Sequence, residues 1–375
     1  MRRFLSFHDF DWVLLGFVLL ISGLGVLEIY SSTYGTKFAT TTGTPLYVKQ
    51  IYWILGGLVL MFLASLVNYQ MLLENAHWFY IASIVALLAV LVLGEKQLGG
   101  RRWIKLPGHQ HFQPSEWVKL VLILVLARYF SLNNDDRTPT FKDVVKAGLL
   151  ALVPMLLVLK QPDLGTALTY VPLAFMALFL GGIQVRHAAI IVVIAGILMP
   201  ALWVYGPRLH LIKQYQKERL LTFLHPEADS QKAGYQLEQS KIAVGHGGIV
   251  GQGIRNGSQT QGNFLPEPHT DFIFAAWAEE HGFVGAVGLL LLYFLVLMRL
   301  IDNAKTASDR AGGFVIMGVV AVLFFHILVN AGMVVGFMPV TGIPLPLMSY
   351  GGSSLLFTFL ALGIVMNVQM RRFVN

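Results

Sequence analysis

Ten predominantly apolar runs set the first limit on this chain. They fall at 12–30, 51–67, 77–94, 115–131, 144–160, 164–182, 187–205, 282–298, 312–336 and 354–369. An apolar run of about 18 or more residues reads as a helix that crosses the bilayer. The runs at 51–67, 144–160 and 282–298 stand at the short end of that range. Hydrophobic residues make up 55% of the chain and charged residues only 13%, against roughly 25% charged in soluble domains. The expected fold is therefore an all-α polytopic integral membrane protein. One domain covers 1–375, and its longest polar connection is 206–270.

Lys and Arg in the short loops orient the spans. Arg2, Arg3, Arg128, Arg137, Lys142, Lys146, Arg186, Arg299, Lys305, Arg310, Arg371 and Arg372 share one side if both termini are cytoplasmic. The 206–270 loop then lies outside. Arg101, Arg102 and Lys105 oppose this pattern, in the short loop after the third span. They read as headgroup anchors or as a site for an anionic headgroup or pyrophosphate. The basic run at the start has no small-residue cleavage pattern, so the first span is read as retained. There is no cysteine, which removes disulfides and a thiolate nucleophile. The net charge of +7 is spread over loops and suits membrane contact rather than nucleic acid.

Within the outer loop, Ile212, Tyr215, Leu220, Phe223 and Leu224 recur at helical spacing with Lys213, Lys217 and Arg219 between them. That pattern describes a basic amphipathic helix on the membrane surface or an ordinary packed loop helix. A second short helix is expected over 235–244. The stretch GHGGIVGQGIRNGSQTQG after it is expected to be flexible. It fits neither a dinucleotide fingerprint nor a phosphate-binding Walker loop.

Six of the 20 acids lie at or within apolar segments: Glu28, Glu116, Asp163, Asp271, Glu279 and Glu280. Acids near lipid cost free energy and mark candidate sites. Glu116 and Lys119 are three apart on one helical face, behind Pro114 at a favourable first helical position. They form either a structural ion pair or the wall of a polar cavity. Asp163 opens QPDLGTAL and reads as a helix cap or as an acid at a cavity mouth. Asp271 sits where the long loop meets an apolar run, preceded by Glu267 and His269. Like Asp163 it reads as a cap for the helix that follows, or, as a carboxylate in partly apolar surroundings, as a candidate general base. Three prolines and three glycines break PVTGIPLPLMSYGGSS between the last two spans. Broken backbone at membrane depth is tolerated only where it lines a cavity or is buried in protein. Ser349, Tyr350 and Ser353 there are expected to bond those backbone groups or to touch substrate. No metalloprotease or serine-hydrolase motif occurs.

GRRWI, FQPSEWVK, QPDLGTAL, QSKIAVGHGG, FLPEPHTDFIFAAWAEE and PVTGIPLPLMSYGGSS occur in this order, and so ordered they resemble the SEDS family of shape, elongation, division and sporulation proteins. The resemblance runs from the first span to the last and favours the RodA branch over FtsW. It implies a GT-C-type fold of ten helices with a large extracellular loop in the cytoplasmic (inner) membrane. The implied activity is peptidoglycan glycosyl transfer: lipid II is polymerised on the outer face, from an undecaprenyl-pyrophosphate-linked donor and with inversion, during cell elongation. The implied partners are a class B penicillin-binding transpeptidase and other elongation-complex membrane proteins. It also implies roles for single residues. Asp271 is the essential acid. Arg102 with Arg101 beside it, Glu116, Lys119, Asp163 and Lys241 fall on the family's motif positions as substrate-binding candidates, and His269 and Ser349 join them from their own places in the sequence. A divalent cation, Mg or Mn, is compatible with such chemistry, although no dedicated metal cage is visible. His246 stands where Ser is frequent in the family, and Pro268 where Arg is frequent in the RodA branch. Intramembrane charges and broken helices suit transport equally, so a lipid II flippase stays open. So does a non-catalytic scaffold that activates the transpeptidase.

Overall fold

The computed structural model describes residues 9–39, 43–97, 100–106, 110–132, 139–187, 189–190, 193 and 233–372. The expected amphipathic helix around 212–224, and most of the run 187–205, lie outside the described residues. The other nine apolar runs coincide with described helices. These are α1 (Trp12–Thr33), α2 (Leu46–Leu66), short α3 (Tyr69–Glu74), α4 (Ala76–Leu93), α5 (Pro114–Leu132), α6 (Phe141–Lys160), α7 (Leu164–Leu168) and α8 (Tyr170–Leu180). After the gap come α9 (Ala233–Gly247), short α10 (Ser258–Gln261), α11 (Ile273–Lys305), α12 (Arg310–Val334) and α13 (Gly352–Met370). Six of them, α1, α2, α4, α11, α12 and α13, are long and apolar enough to cross a membrane. The run 164–182 is split at Thr169 into α7 and α8.

Burial sorts the helices into a centre and a shell. The apolar windows of α12 and α13 are 67% and 83% buried, whereas those of α2, α4 and α11 are each 22% buried. Leu55, Val59 and Leu63 of α2 and Ile81, Val85 and Leu88 of α4 are exposed, as lipid-facing residues are. No hydrophobic effect drives helices together inside lipid, so close packing must do so. The α2–α13 contact shows how: a Cβ at Gly57 would lie 2.3 Å from Phe359, and one at Gly363 would lie 2.4 Å from the Met61 carbonyl. Polar side chains tie the ends. Asn367 accepts from Tyr69 N at 3.0 Å and donates to the Ser65 carbonyl at 2.6 Å, closing the α2–α3 turn. At the start of α1, Asp11 accepts from Arg299 Nε and Asn303 Nδ2, each at 2.8 Å. Burial pushes the Asp11 carboxyl up, but these bonds outweigh it and hold the group below its ordinary value.

Two features depart from the sequence expectation. The loop after α4 folds as a three-stranded antiparallel sheet, β1 (Glu95–Gln97), β2 (Gly100–Leu106) and β3 (Gln110–Phe112). Gly99-Gly100 and Pro107-Gly108 are turn signals spaced for a small meander. The glycine-rich stretch is packed rather than flexible. A Cβ at Gly247 would lie 2.1 Å from the Ala278 carbonyl, and one at Gly251 2.2 Å from that of Glu280. Gln252 N and Gly253 N donate to the Glu279 and Glu280 carbonyls at 3.0 and 2.9 Å. Here glycine permits contact between backbones instead of motion. Those carbonyls are available because α11 kinks at Gly282, whose φ is 65°.

Gly363→Leu is expected to force α2 from α13 at a cost of about 1–3 kcal/mol or more. Thermal unfolding in detergent checks this, with the lipid-facing Leu63→Ala as the substitution that leaves Tm nearly unchanged.

Candidate active site

The segment between α12 and α13 crosses the protein interior as irregular backbone, and its carbonyls are bonded one after another. Asn330 Nδ2 donates to the Ile343 carbonyl at 2.8 Å, and His326 Nδ1 contacts that of Pro344 at 3.1 Å. Tyr293 donates to Pro346 O at 2.6 Å and Gln50 to Ser349 O at 3.1 Å. Ser349 Oγ accepts from Leu345 N and donates to the Thr270 carbonyl at 2.7 Å, and Tyr350 N donates to His269 O at 2.9 Å. The expected role of Ser349 in bonding the broken backbone is thus met. Ser353 Oγ bonds elsewhere, accepting from Gln113 N at 3.2 Å immediately before α5.

This segment brings the separate motifs together. Asp271 lies in the turn before α11 and is half-buried. Its backbone carbonyl accepts from Asn330 Nδ2 at 2.9 Å. A Cβ at Gly342 would lie 3.1 Å from Asp271 Oδ2, so glycine leaves room for the carboxylate at that point. Gly165 of the Asp163 motif packs more closely still on the same segment, its Cβ position 2.7 Å from Thr341 O.

Glu116 and Lys119 are the buried pair that their spacing predicts. Lys119 Nζ donates to Glu116 Oε2 at 2.9 Å and sits 3.2 Å from His326 Nε2. A carbonyl only accepts, so His326 Nδ1 carries the proton toward Pro344 and Nε2 offers its lone pair to Lys119. The ammonium also lies 4.5 Å from the centre of the Phe357 ring. Lys119 is fully buried, so it contributes its field and its bonds rather than a surface charge. Asp163 caps α7, accepting from Thr166 N at 3.1 Å and Thr166 Oγ1 at 2.9 Å, and takes a third bond from Gln113 Nε2 at 2.8 Å.

The basic candidates lie farther out. Arg102 on β2 donates to the carbonyls of Gln161 and Pro162, directly before Asp163. Arg101 is exposed, and its guanidinium reaches the Leu91 and Val92 carbonyls at 3.3 Å. Lys241 on α9 is exposed and lies over Gly336 at the end of α12, its Nζ 2.6 Å from the Cβ position there. His269 is buried, with its ring 5.0 Å from that of Phe38 and 6.0 Å from that of Tyr350. Burial pushes its pKa down to about 4. A neutral imidazole makes its 3.8 Å approach to Glu267 a weak contact rather than an ion pair. His246, at the atypical position, meets Ser258 Oγ at 3.0 Å.

Sequence reasoning missed His326 and Asn330. They are the polar residues of FFHILVNAG, four apart and so on one face of α12. That spacing was the available signal. A cavity of about 500 Å³ lined by Lys305, Asp309, Arg310 and Phe314 lies at the other end of α12 and contains none of these groups.

Comparison with known proteins decides the family. Residues 11–373 match the family model of the FtsW, RodA and SpoVE cell cycle proteins. The chain belongs to this family. It is 41% identical to the peptidoglycan glycosyltransferase MrdB of Escherichia coli K12, over 86% of this chain and 85% of that one. It is 33% identical to the peptidoglycan glycosyltransferase RodA of Treponema pallidum, over 99% and 100%. Among solved structures, a chain from a peptidoglycan synthase complex that coordinates polymerization and crosslinking superposes with a TM-score of 0.79 at 34% identity, covering 97% of this chain and 98% of that one. The rod shape determining protein RodA of Thermus thermophilus gives 0.70 at 32% identity over the same shares. The all-α polytopic membrane fold expected from the sequence is the fold of this family.

Glu116→Gln should leave Lys119 as an uncompensated buried charge and cost about 3–5 kcal/mol. Glu116→Gln combined with Lys119→Met should recover most of that loss in thermal unfolding. His269 gives a pH signature. Between about 4 and its unfolded value near 6.5 it binds fewer protons folded than unfolded, so stability is full above about 6.5 and falls as pH drops toward 4. His269→Phe should flatten that part of the Tm–pH curve.

Proposed function

We propose that this chain is a peptidoglycan glycosyltransferase that polymerises lipid II on the outer face of the cytoplasmic membrane during cell elongation. The observation that carries the reading is the family match over 11–373, joined to relatives that are peptidoglycan glycosyltransferases. The placement of Asp271 supports the mechanism. Its carboxylate is half-buried beside Gly342, and its backbone is held by Asn330.

In this mechanism the acceptor is the GlcNAc 4-hydroxyl of lipid II and the donor is the growing glycan on undecaprenyl pyrophosphate. Asp271 takes the hydroxyl proton as the oxygen attacks the MurNAc anomeric carbon. The bond from that carbon to pyrophosphate breaks, the pyrophosphate leaves with the electron pair, and the configuration inverts. Arg101, Arg102 and Lys241 balance the charge that develops on the leaving group. Lys119 is fully buried, so with Glu116 and His326 it holds the broken segment against which Asp271 rests. A divalent cation at the pyrophosphate is compatible with this scheme and is not required by any step in it. Both termini lie in the cytoplasm. The partner is a class B penicillin-binding transpeptidase, a pairing supported by the superposition on a chain from a synthase complex that couples polymerization to crosslinking.

Purified chain with its transpeptidase partner, whose own active site is blocked, should form a ladder of glycan strands from lipid II. Asp271→Asn should reduce the polymer by about 100-fold or more while leaving the fold and the pairing intact. Ladders from both proteins would move the base elsewhere. Lipid II crossing proteoliposome membranes with no polymer from wild type would replace the reading by the flippase, and growth supported by Asp271→Asn would replace it by the scaffold.

A further inference from the structure

Away from Asp271, α1 and α11 press a second set of acids together. Glu28 of α1 is fully buried, and neither of its carboxylate oxygens has a partner. Its neighbours across the contact are Glu280 and His281 of α11. One ligand atom from each of the three residues lies within 4.8 Å of the other two.

Glu280 is also buried, accepting from Ser31 Oγ at 2.6 and 2.7 Å and from Arg255 N at 3.2 Å. Glu279 beside it is occupied elsewhere. It accepts from Gln259 N, Thr260 N and the Thr260 hydroxyl at 2.7–3.0 Å and caps α10. Among the described residues, no Lys or Arg forms an ion pair with Glu28, Glu279 or Glu280. Two adjacent carboxylates in a dry interior are costly without a compensating cation, and hydrogen bonds address only one of the two.

We propose that Glu28, Glu280 and His281 form a divalent cation site that joins α1 to the kink of α11. Two carboxylates and one imidazole are a donor set suited to Mn²⁺ or Zn²⁺. Bond lengths near 2.1 Å place neighbouring ligand atoms about 3–4 Å apart, which small rotamer changes reach from the present spacing. The histidine is already held in place. Its ring stacks on Trp277 at 3.7 Å between centres, and Nδ1 contacts the Trp277 carbonyl at 3.2 Å. Donation there from Nδ1 leaves Nε2 as the lone-pair nitrogen, the arrangement that a second partner imposes on a ligating histidine.

The position gives the ion a structural task. His281 immediately precedes Gly282, where α11 kinks and the glycine-rich stretch packs on it, Phe283 N donating to Gly248 O at 2.9 Å. Ser31, which bonds Glu280, also accepts from Arg255 N at 2.9 Å. An ion here ties together α1, the kink and the loop 248–257. His281 lies ten residues beyond Asp271 on the chain, so the ion acts on the shape of α11 and touches no reacting atom. The site is independent of the catalytic role proposed for Asp271.

The test uses the full chain in detergent, stripped with chelator and dialysed against Mn²⁺ or Zn²⁺. Wild type should retain about one ion per chain and gain several degrees in Tm on metal addition. Mn²⁺ bound there should show nitrogen hyperfine coupling from the imidazole. Glu28→Gln keeps the shape of a carboxylate that has no partner, so it should fold while binding Mn²⁺ at least about 10-fold more weakly. His281→Leu should lose the nitrogen coupling, and the exposed Glu238→Gln should change nothing. Wild type that binds neither metal overturns the proposal, as does equal retention in Glu28→Gln and His281→Leu.

Discussion

The structure depends on satisfying irregular backbone inside an apolar protein. Residues 339–351 cannot run as helix through three prolines, so their carbonyls require donors from elsewhere. Asn330, His326, Tyr293 and Gln50 supply them, from α12, α11 and α2. Each bond fixes a helix as well as a carbonyl. The same segment then receives the turn that carries Asp271, through Ser349 to Thr270 and Tyr350 to His269. An unmade bond at this depth costs far more than one at a surface, which makes the arrangement rigid.

The rigidity explains how charges persist here. Lys119 is a buried ammonium with three kinds of support: the Glu116 carboxylate, the His326 lone pair and the Phe357 ring. His326 and Asn330 stand one turn apart on α12. One reaches toward the Glu116–Lys119 pair, the other toward Asp271, and both hold neighbouring carbonyls of the broken segment. A change at Lys119 is thereby coupled to the backbone beside Asp271 through two bonds on a single helix.

Outside this centre the same economy of space appears in the glycines. Gly57 makes room on α2 for the Phe359 ring, Gly363 brings α13 onto the α2 backbone, and Gly247 and Gly251 bring the loop into backbone contact with α11. Loop glycines read as flexible from composition because local sequence carries no record of what lies across from them. Here a carbonyl lies within reach of the missing Cβ, and the residue is small for that reason.

The chain alone determined the features that arise at short range: the apolar runs, the start of α5 at Pro114, the Asp163 cap and the shared face of Glu116 and Lys119. It also showed a break before the last helix that required burial. Helical period and capping are local, and lipid leaves backbone few alternatives, so these features were legible. The strands of 95–112 were carried only by weak turn signals. Tertiary structure alone decided that His326 completes the Lys119 pair, that Asn330 holds the Asp271 turn, and that Glu28 meets Glu280 and His281. Those groups are separated by tens to hundreds of residues. Which of many buried polar residues meet is set by how helices cross, and a single sequence does not record helix crossings.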